Sequence, residues 1–157
     1  MKKAFVSVLN SLLPKKGFYV TYLTEMMESI SDISELESER QEVDRQLEID
    51  WKAVNDVINE NARVVQNQKE YEEKYEALLK RYKETEERQR NIVSRINDQL
   101  ARRKKIERFI ETVKGLNELI GEFDQTLWTV LVESVAVEKE RMVFRFNGGV
   151  EVPYLRS

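Results

Sequence analysis

The chain has 157 residues and a net charge of −3, with 35% charged and 41% hydrophobic residues but only 5 Gly and 2 Pro, a balance that suits long helices better than a sheet-rich globule. It contains no Cys and no His, which excludes a zinc ribbon or finger within the chain, thiol or imidazole catalysis, and disulfides; the last agrees with a cytoplasmic location. The small net charge excludes a global pull toward nucleic acid or membrane, and no apolar run approaches the ~20 residues a bilayer-spanning helix needs.

Met1–Leu13 begins Met-Lys-Lys and continues with Ala4, Phe5, Val6, Val8, Leu9, Leu12 and Leu13, a superficial likeness to a signal peptide. Asn10 interrupts the run and no small-x-small cleavage site precedes Pro14. The spacing of Phe5, Val8, Leu9 and Leu12 predicts a short amphipathic helix instead. Lys2, Lys3, Lys15 and Lys16 bracket it, as solvated ends or as phosphate contacts. After the breaker Pro14–Gly17, the recurrence of Phe18, Tyr22, Met26, Ile30 and Ile33 predicts a second helix with a wide apolar face. Serines at 29, 31 and 34 predict a kink near residue 31 before the chain runs on.

From Ile33 the pattern predicts two long helices folded back on each other, each reaching roughly 45–60 Å at ~1.5 Å of rise per residue. In the first arm Leu36, Val43, Leu47, Trp51, Val54, Ile58 and Val65 form a stripe, with Arg40 and Ala62 in its gaps, that drifts from a strict heptad. Its acids, Glu35, Glu37, Glu39, Glu42, Asp44, Glu48 and Asp50, read as a solvated face that repels phosphate. The reversal falls near Gln66-Asn67-Gln68, where Asn67 is the expected N-cap and Glu70 its capping-box partner. In the second arm Tyr71, Tyr75, Leu78, Tyr82, Thr85, Gln89, Ile92 and Ile96 keep alternating steps of four and three, the a/d seam of a coiled coil. Glu70–Lys74, Glu76–Lys80, Glu84–Arg88 and Glu86–Arg90 are expected to pair along it. Val64, Val65, Asn67 and Tyr71 mark the tip, where apolar side chains either close the last layer of the seam or meet another molecule.

The seam loses apolar residues at Gln99 and Arg103. Arg102, Arg103, Lys104 and Lys105 form the densest basic run, either a solvated face paired with the acidic arm or a phosphate patch whose affinity would fall steeply with salt. Ile106, Phe109, Ile110 and Val113 resume the apolar face until Gly115, and Leu116–Ile120 connects to a predicted helix at Phe123–Val132. The period then changes to two: Val135 and Val137, then Met142, Phe144 and Phe146, then Val150, Val152 and Tyr154 predict three strands, with turns at 138–141 and Asn147-Gly148-Gly149. Three short strands need a cover, which the helices at Ala4–Leu13 and Phe123–Val132 supply. The expected fold is mainly α: a long antiparallel coiled-coil hairpin (33–113, tip near 65–69) projecting from a small α+β base made of 1–32 and 114–157, with a short three-stranded antiparallel sheet. No nucleophile–base set or metal cluster assembles from these residues, so the expectation is a non-enzyme without cofactor or metal.

Two passages carry a resemblance. One is Asn67-Gln68-Lys69-Glu70-Tyr71-Glu72-Glu73-Lys74-Tyr75 with Leu78 and Arg81-Tyr82. The other is Glu122-Phe123-Asp124-Gln125-Thr126-Leu127-Trp128 through Leu131-Val132-Glu133, with Val143-Phe144-Arg145-Phe146-Asn147-Gly148-Gly149 after it. Both resemble the C-terminal region of the large serine recombinases, the phage integrases and conjugative-transposon recombinases of Gram-positive bacteria, and Ala4–Leu13 looks like the helix after the zinc ribbon there. The resemblance implies DNA integration by a mobile genetic element: that family cuts and rejoins attachment-site DNA through a seryl linkage, and its coiled-coil arm touches the arm of another subunit to control synapsis and direction. The catalytic domain and the Cys-bearing ribbon have no counterpart in this chain, so no catalytic residue carries over. What carries over is the tip, Val64, Val65, Asn67 and Tyr71. The implied partners are another recombinase subunit, attachment-site DNA through the parent protein and a directionality factor, with no membrane. DNA binding through Lys15, Lys16, Arg102, Arg103, Lys104 and Lys105, or a plain structural coiled coil, are the other readings.

Overall fold

The computed structural model describes residues 1–64 and 67–155. Among them the elements run α1 (Lys2–Leu12), a short 3-10 turn (Leu13–Lys15), α2 (Lys16–Ser31), α3 (Ser34–Arg63), α4 (Gln68–Gly115), α5 (Gln125–Leu131), β1 (Val132–Val137), β2 (Arg141–Phe146) and β3 (Glu151–Leu155). The protein is mainly helical with one small antiparallel sheet, the class its periodicities predict. It divides into two compact units, Ile33–Asp98 and Met1–Asp32 with Gln99–Ser157. The helical unit therefore stops short of residue 113, because from Ile106 onward the apolar face of α4 belongs to the core of the mixed unit.

In the helical unit α3 and the first part of α4 are antiparallel. As the α3 partner advances through Glu39, Asp44, Asp50 and Glu60, its α4 partner retreats through Arg95, Gln89, Arg81 and Lys74. The α4 seam is the predicted one: Ile92 and Ile96 are buried, and Tyr71, Tyr75, Leu78, Tyr82, Thr85 and Gln89 are half-buried. The α3 seam differs from the predicted stripe. Leu36, Val43, Asp50, Val54 and Val57 are buried, and Arg40, Leu47 and Asn61 are half-buried between them. These eight positions advance by alternating fours and threes, so α3 keeps a strict heptad and does not drift. Trp51 and Ile58, which belong to the predicted stripe, stand beside the seam at 54% and 41% exposure. The apolar pattern misleads because the true seam position is a carboxylate, Asp50, with a large aromatic immediately after it.

In the mixed unit, α1 buries the face its spacing predicts, Ala4, Phe5, Val8, Leu9 and Leu12. They join Leu23, Ile106, Phe109, Val113, Leu131, Phe144 and Phe146 in one core. Aromatic rings link the layers: Phe5 meets Trp128 at 5.2 Å, Trp128 meets Phe144 at 6.2 Å and Phe109 meets Phe146 at 6.0 Å, all edge-to-face. Asn10, the polar break in the N-terminal helix, pairs with backbone: its Nδ2 donates to the Ile120 carbonyl at 2.9 Å and its Oδ1 accepts from the Ile120 N–H at 2.8 Å. It thus satisfies a connector segment that lacks ladder partners of its own. Asp124 caps α5, accepting from the N–H groups of Thr126 and Leu127 at 2.7 and 3.0 Å. The predicted kink is the break between α2 and α3, where the Ser31 hydroxyl donates back to the Met27 carbonyl at 2.6 Å.

The sheet has order β1-β2-β3. The central strand β2 alternates as expected, with Met142, Phe144 and Phe146 buried and Arg141 and Arg145 exposed. A register shift between Val132 and Ser134 marks where the chain leaves α5 and enters β1. The β2–β3 turn uses Gly148 and Gly149 at φ of 95° and 82°, a left-handed backbone that only glycine adopts without strain.

Candidate interaction surface

The α3–α4 hairpin owes its surface chemistry to a row the sequence pattern did not single out. Lys74, Arg81, Arg88 and Arg95 recur every seven residues on α4, and each reaches an acid of α3. Lys74 meets Glu60 at 3.6 Å, Arg81 meets Asp50 at 2.7 Å, and Arg88 and Arg95 meet Glu39 at 3.0 and 3.6 Å. The acidic face of the first arm is thus partly a set of cross-helix partners rather than wholly a solvated one. Of the four same-helix pairs expected on α4, Glu86–Arg90 forms, at 2.9 Å, whereas Lys74 and Arg88 turn across to α3. The signal was present: a cation at every seventh position beside an a/d seam is a flanking coiled-coil row.

Among the described residues Asp50 is the one charged seam residue that is fully enclosed, at 1% exposure. It accepts from the Thr85 hydroxyl at 2.7 Å, from the Gln46 amide at 2.8 Å and from Arg81 Nε at 2.7 Å. Burial pushes its pKa up, but those hydrogen bonds and the Arg81 charge outweigh burial and hold it below the ordinary carboxylate value. One turn away, Gln89 donates to Asp44 at 2.6 Å. Beside this layer Trp51 packs on Tyr82 with ring centroids 5.5 Å apart. Together with Asp44, Leu47, Glu48 and Gln89 they line an open groove of about 460 Å³.

At the tip, Val64 is 59% exposed on extended backbone, its N–H bonded to the Glu60 carbonyl at 3.1 Å. Val65 lies outside the described residues. Asn67 caps α4 through its Oδ1, which accepts from the Lys69 N–H at 3.1 Å. The expected capping box is altered: Glu70 accepts from the Asn67 side-chain amide, at 3.1 Å. Tyr71 stacks on Tyr75 at 6.0 Å and is half-buried. The tip therefore offers an exposed valine at the end of α3 and a stacked pair of tyrosine rings near the start of α4.

The basic residues fall into distinct settings. Lys16 is committed to structure, its Nζ donating to the Leu116 carbonyl at 2.9 Å and to Asn117 Oδ1 at 3.3 Å. Lys15 is exposed. Arg103 pairs with Glu107 at 3.1 Å, while Arg102, Lys104 and Lys105 are exposed and form no ion pair among the described residues. Among the described residues no group of three or more acids is placed to hold a metal ion, and no helix is long and apolar enough to cross a membrane. No protein-family model, curated protein or solved structure matches the chain.

Proposed function

We propose that this chain is the coiled-coil interaction arm, with its adjoining small domain, of a site-specific DNA recombinase of the serine integrase type, working in the cytoplasm on a mobile genetic element. In this reading the chain performs no chemistry. Its hairpin tip docks on the arm of another recombinase subunit and so controls synapsis and the direction of recombination, in response to a directionality factor. The observations that carry the reading are at the tip: Val64 is 59% exposed, Tyr71 and Tyr75 stack on each other, and the sides of the hairpin are tied by cross-helix ion pairs. The residue patterns of Asn67–Tyr82 and Glu122–Gly149 support the family. A contact made by so few side chains buries far less than the ~1,200 Å² of a stable interface, which suits a step that must be made and undone.

Sedimentation velocity on the wild-type chain and on Val64→Asp tests the docking. The expected result is concentration-dependent association that the substitution abolishes, with helix content by circular dichroism unchanged. Equal association of the two proteins would dismiss the tip as the contact. The recombinase assignment is tested separately by reading the source DNA upstream of the Met1 codon. A continuous frame encoding a Cys-rich ribbon and a serine recombinase domain is expected; an in-frame stop codon and a ribosome-binding site immediately ahead of Met1 would defeat it.

A further inference from the structure

A second site lies in the mixed unit and does not depend on the arm. Arg102, Lys105 and Arg108 follow at steps of three on α4, which places them on adjoining parts of one helix flank. Lys105 and Arg108 are exposed and form no ion pair among the described residues. Both line a cleft of about 300 Å³ closed on its other sides by the end of α5, the start of β1 and the β2–β3 turn, with Thr129, Glu133 and Asn147 among its walls. The far wall is held in place. Asn147 is buried, its Nδ2 donates to the Val130 carbonyl at 2.6 Å, and its backbone N–H donates to the Leu131 carbonyl at 2.8 Å. The Thr129 proton is spent on the Gln125 carbonyl at 2.9 Å, so the strong donors facing the cleft are the two cations.

The geometry points to a seat for one tetrahedral phosphate group between Lys105 and Arg108. A guanidinium offers a planar fork that matches two phosphate oxygens, and an ammonium beside it adds a compact charge. Glu133 is the sole acid of the lining and opposes any anion, but two cations outnumber it. Arg102 and Lys104, also without ion-pair partners among the described residues, raise the local potential around the seat. The phosphate belongs to a nucleic-acid backbone or to a small phosphate ester; the chemistry of recognition is the same.

Inorganic phosphate titrated into the full chain, followed by amide NMR, tests the seat. The expected result is saturable shifts confined to residues 105–108, 129–133 and 147. In Lys105→Gln/Arg108→Gln the affinity falls about tenfold or more, as loss of two charge-assisted hydrogen bonds requires. A control removing two charges elsewhere, Lys52→Gln/Lys139→Gln, keeps the affinity within about twofold. Shifts that fail to saturate, scatter over the surface, or survive the double substitution overturn the proposal. Because both positions are exposed, circular dichroism is expected to show both variants folded. Competition then identifies the source: displacement by a random-sequence duplex, with a log–log salt slope smaller by about 0.9 in the double variant, marks a backbone phosphate. Displacement by a phosphate monoester but not by duplex marks a small ester. Both results support the seat.

Discussion

The Thr85 hydroxyl donates to Asp50 Oδ2 at 2.7 Å across the seam of the helical hairpin. The same hydroxyl lies 3.0 Å from the Arg81 carbonyl of its own helix, so it has a second acceptor when the carboxylate is removed. Asp50→Ala is expected to destabilise the hairpin by about 1–3 kcal/mol, since it strips the acceptor from Arg81 and Gln46 and leaves a gap. Asp50→Leu restores volume and apolar contact in the same layer, and is expected to equal or exceed wild-type stability. Urea melts of the three proteins check the order.

Stability should also depend on pH through this carboxylate. Its folded pKa lies below the ordinary value of 3.8. The stabilisation is therefore complete above the unfolded carboxylate's pKa and is lost as pH falls through the lower, folded one. Melts between about pH 6 and pH 2 are expected to show the wild-type protein losing stability below about pH 4, and Asp50→Asn losing less over that interval. Parallel curves would mean that Asp50 titrates as it does in the unfolded chain.

The row of cations on α4 separates exposed from buried pairing. Lys74, Arg88 and Arg95 are more than half exposed, so their replacement by Gln should each cost no more than about 1 kcal/mol and almost nothing in about 1 M salt. Arg81 serves an enclosed partner, and the loss caused by Arg81→Gln is expected to persist in that salt. Paired melts at low and high ionic strength decide it.

Two neighbouring substitutions test the α3 heptad. Val57 is 5% exposed and Ile58 is 41% exposed. Val57→Asp is expected to abolish cooperative unfolding of the hairpin, while Ile58→Asp changes stability by about 0.5 kcal/mol at most. The reverse order would restore the drifting stripe in which Ile58 is the seam residue.

The glycine turn gives a graded pair. A methyl at Gly149 meets open space, so Gly149→Ala is expected to cost only the left-handed backbone term of about 1–2 kcal/mol. A Cβ at Gly148 would lie 2.7 Å from a methyl of Leu23, which is fully buried. Gly148→Ala should therefore cost clearly more, as thermal melts of the two variants will show.

What was legible in the sequence follows from what periodicity senses. The α4 seam and the strands β2 and β3 are visible because apolar side chains themselves mark the more buried face, whereas in β1 the period-two pattern points to a strand although Val137 is 56% exposed. The α3 seam is not visible, because Asp50 holds a seam position by virtue of Thr85, Gln46 and Arg81, two of which lie more than thirty residues away or on the other helix. Asn10 fails the same way: its partner is a backbone segment at Ile120, so locally it reads as an interruption. The phosphate cleft joins α4 to a turn near the end of the chain, and only the basic half of it leaves a trace in the sequence.

A row that repeats every seven residues reads the same after a slip of one heptad, so cations spaced like Lys74, Arg81, Arg88 and Arg95 cannot by themselves say where two helices should stop sliding. Asp50 can. A shift of α4 by seven residues would set Leu78 or Ile92 where Thr85 stands, and neither aliphatic side chain can donate to an enclosed carboxylate. The buried acid acts as an index pin in an otherwise repeating track: it marks the register in which α3 and α4 stop sliding.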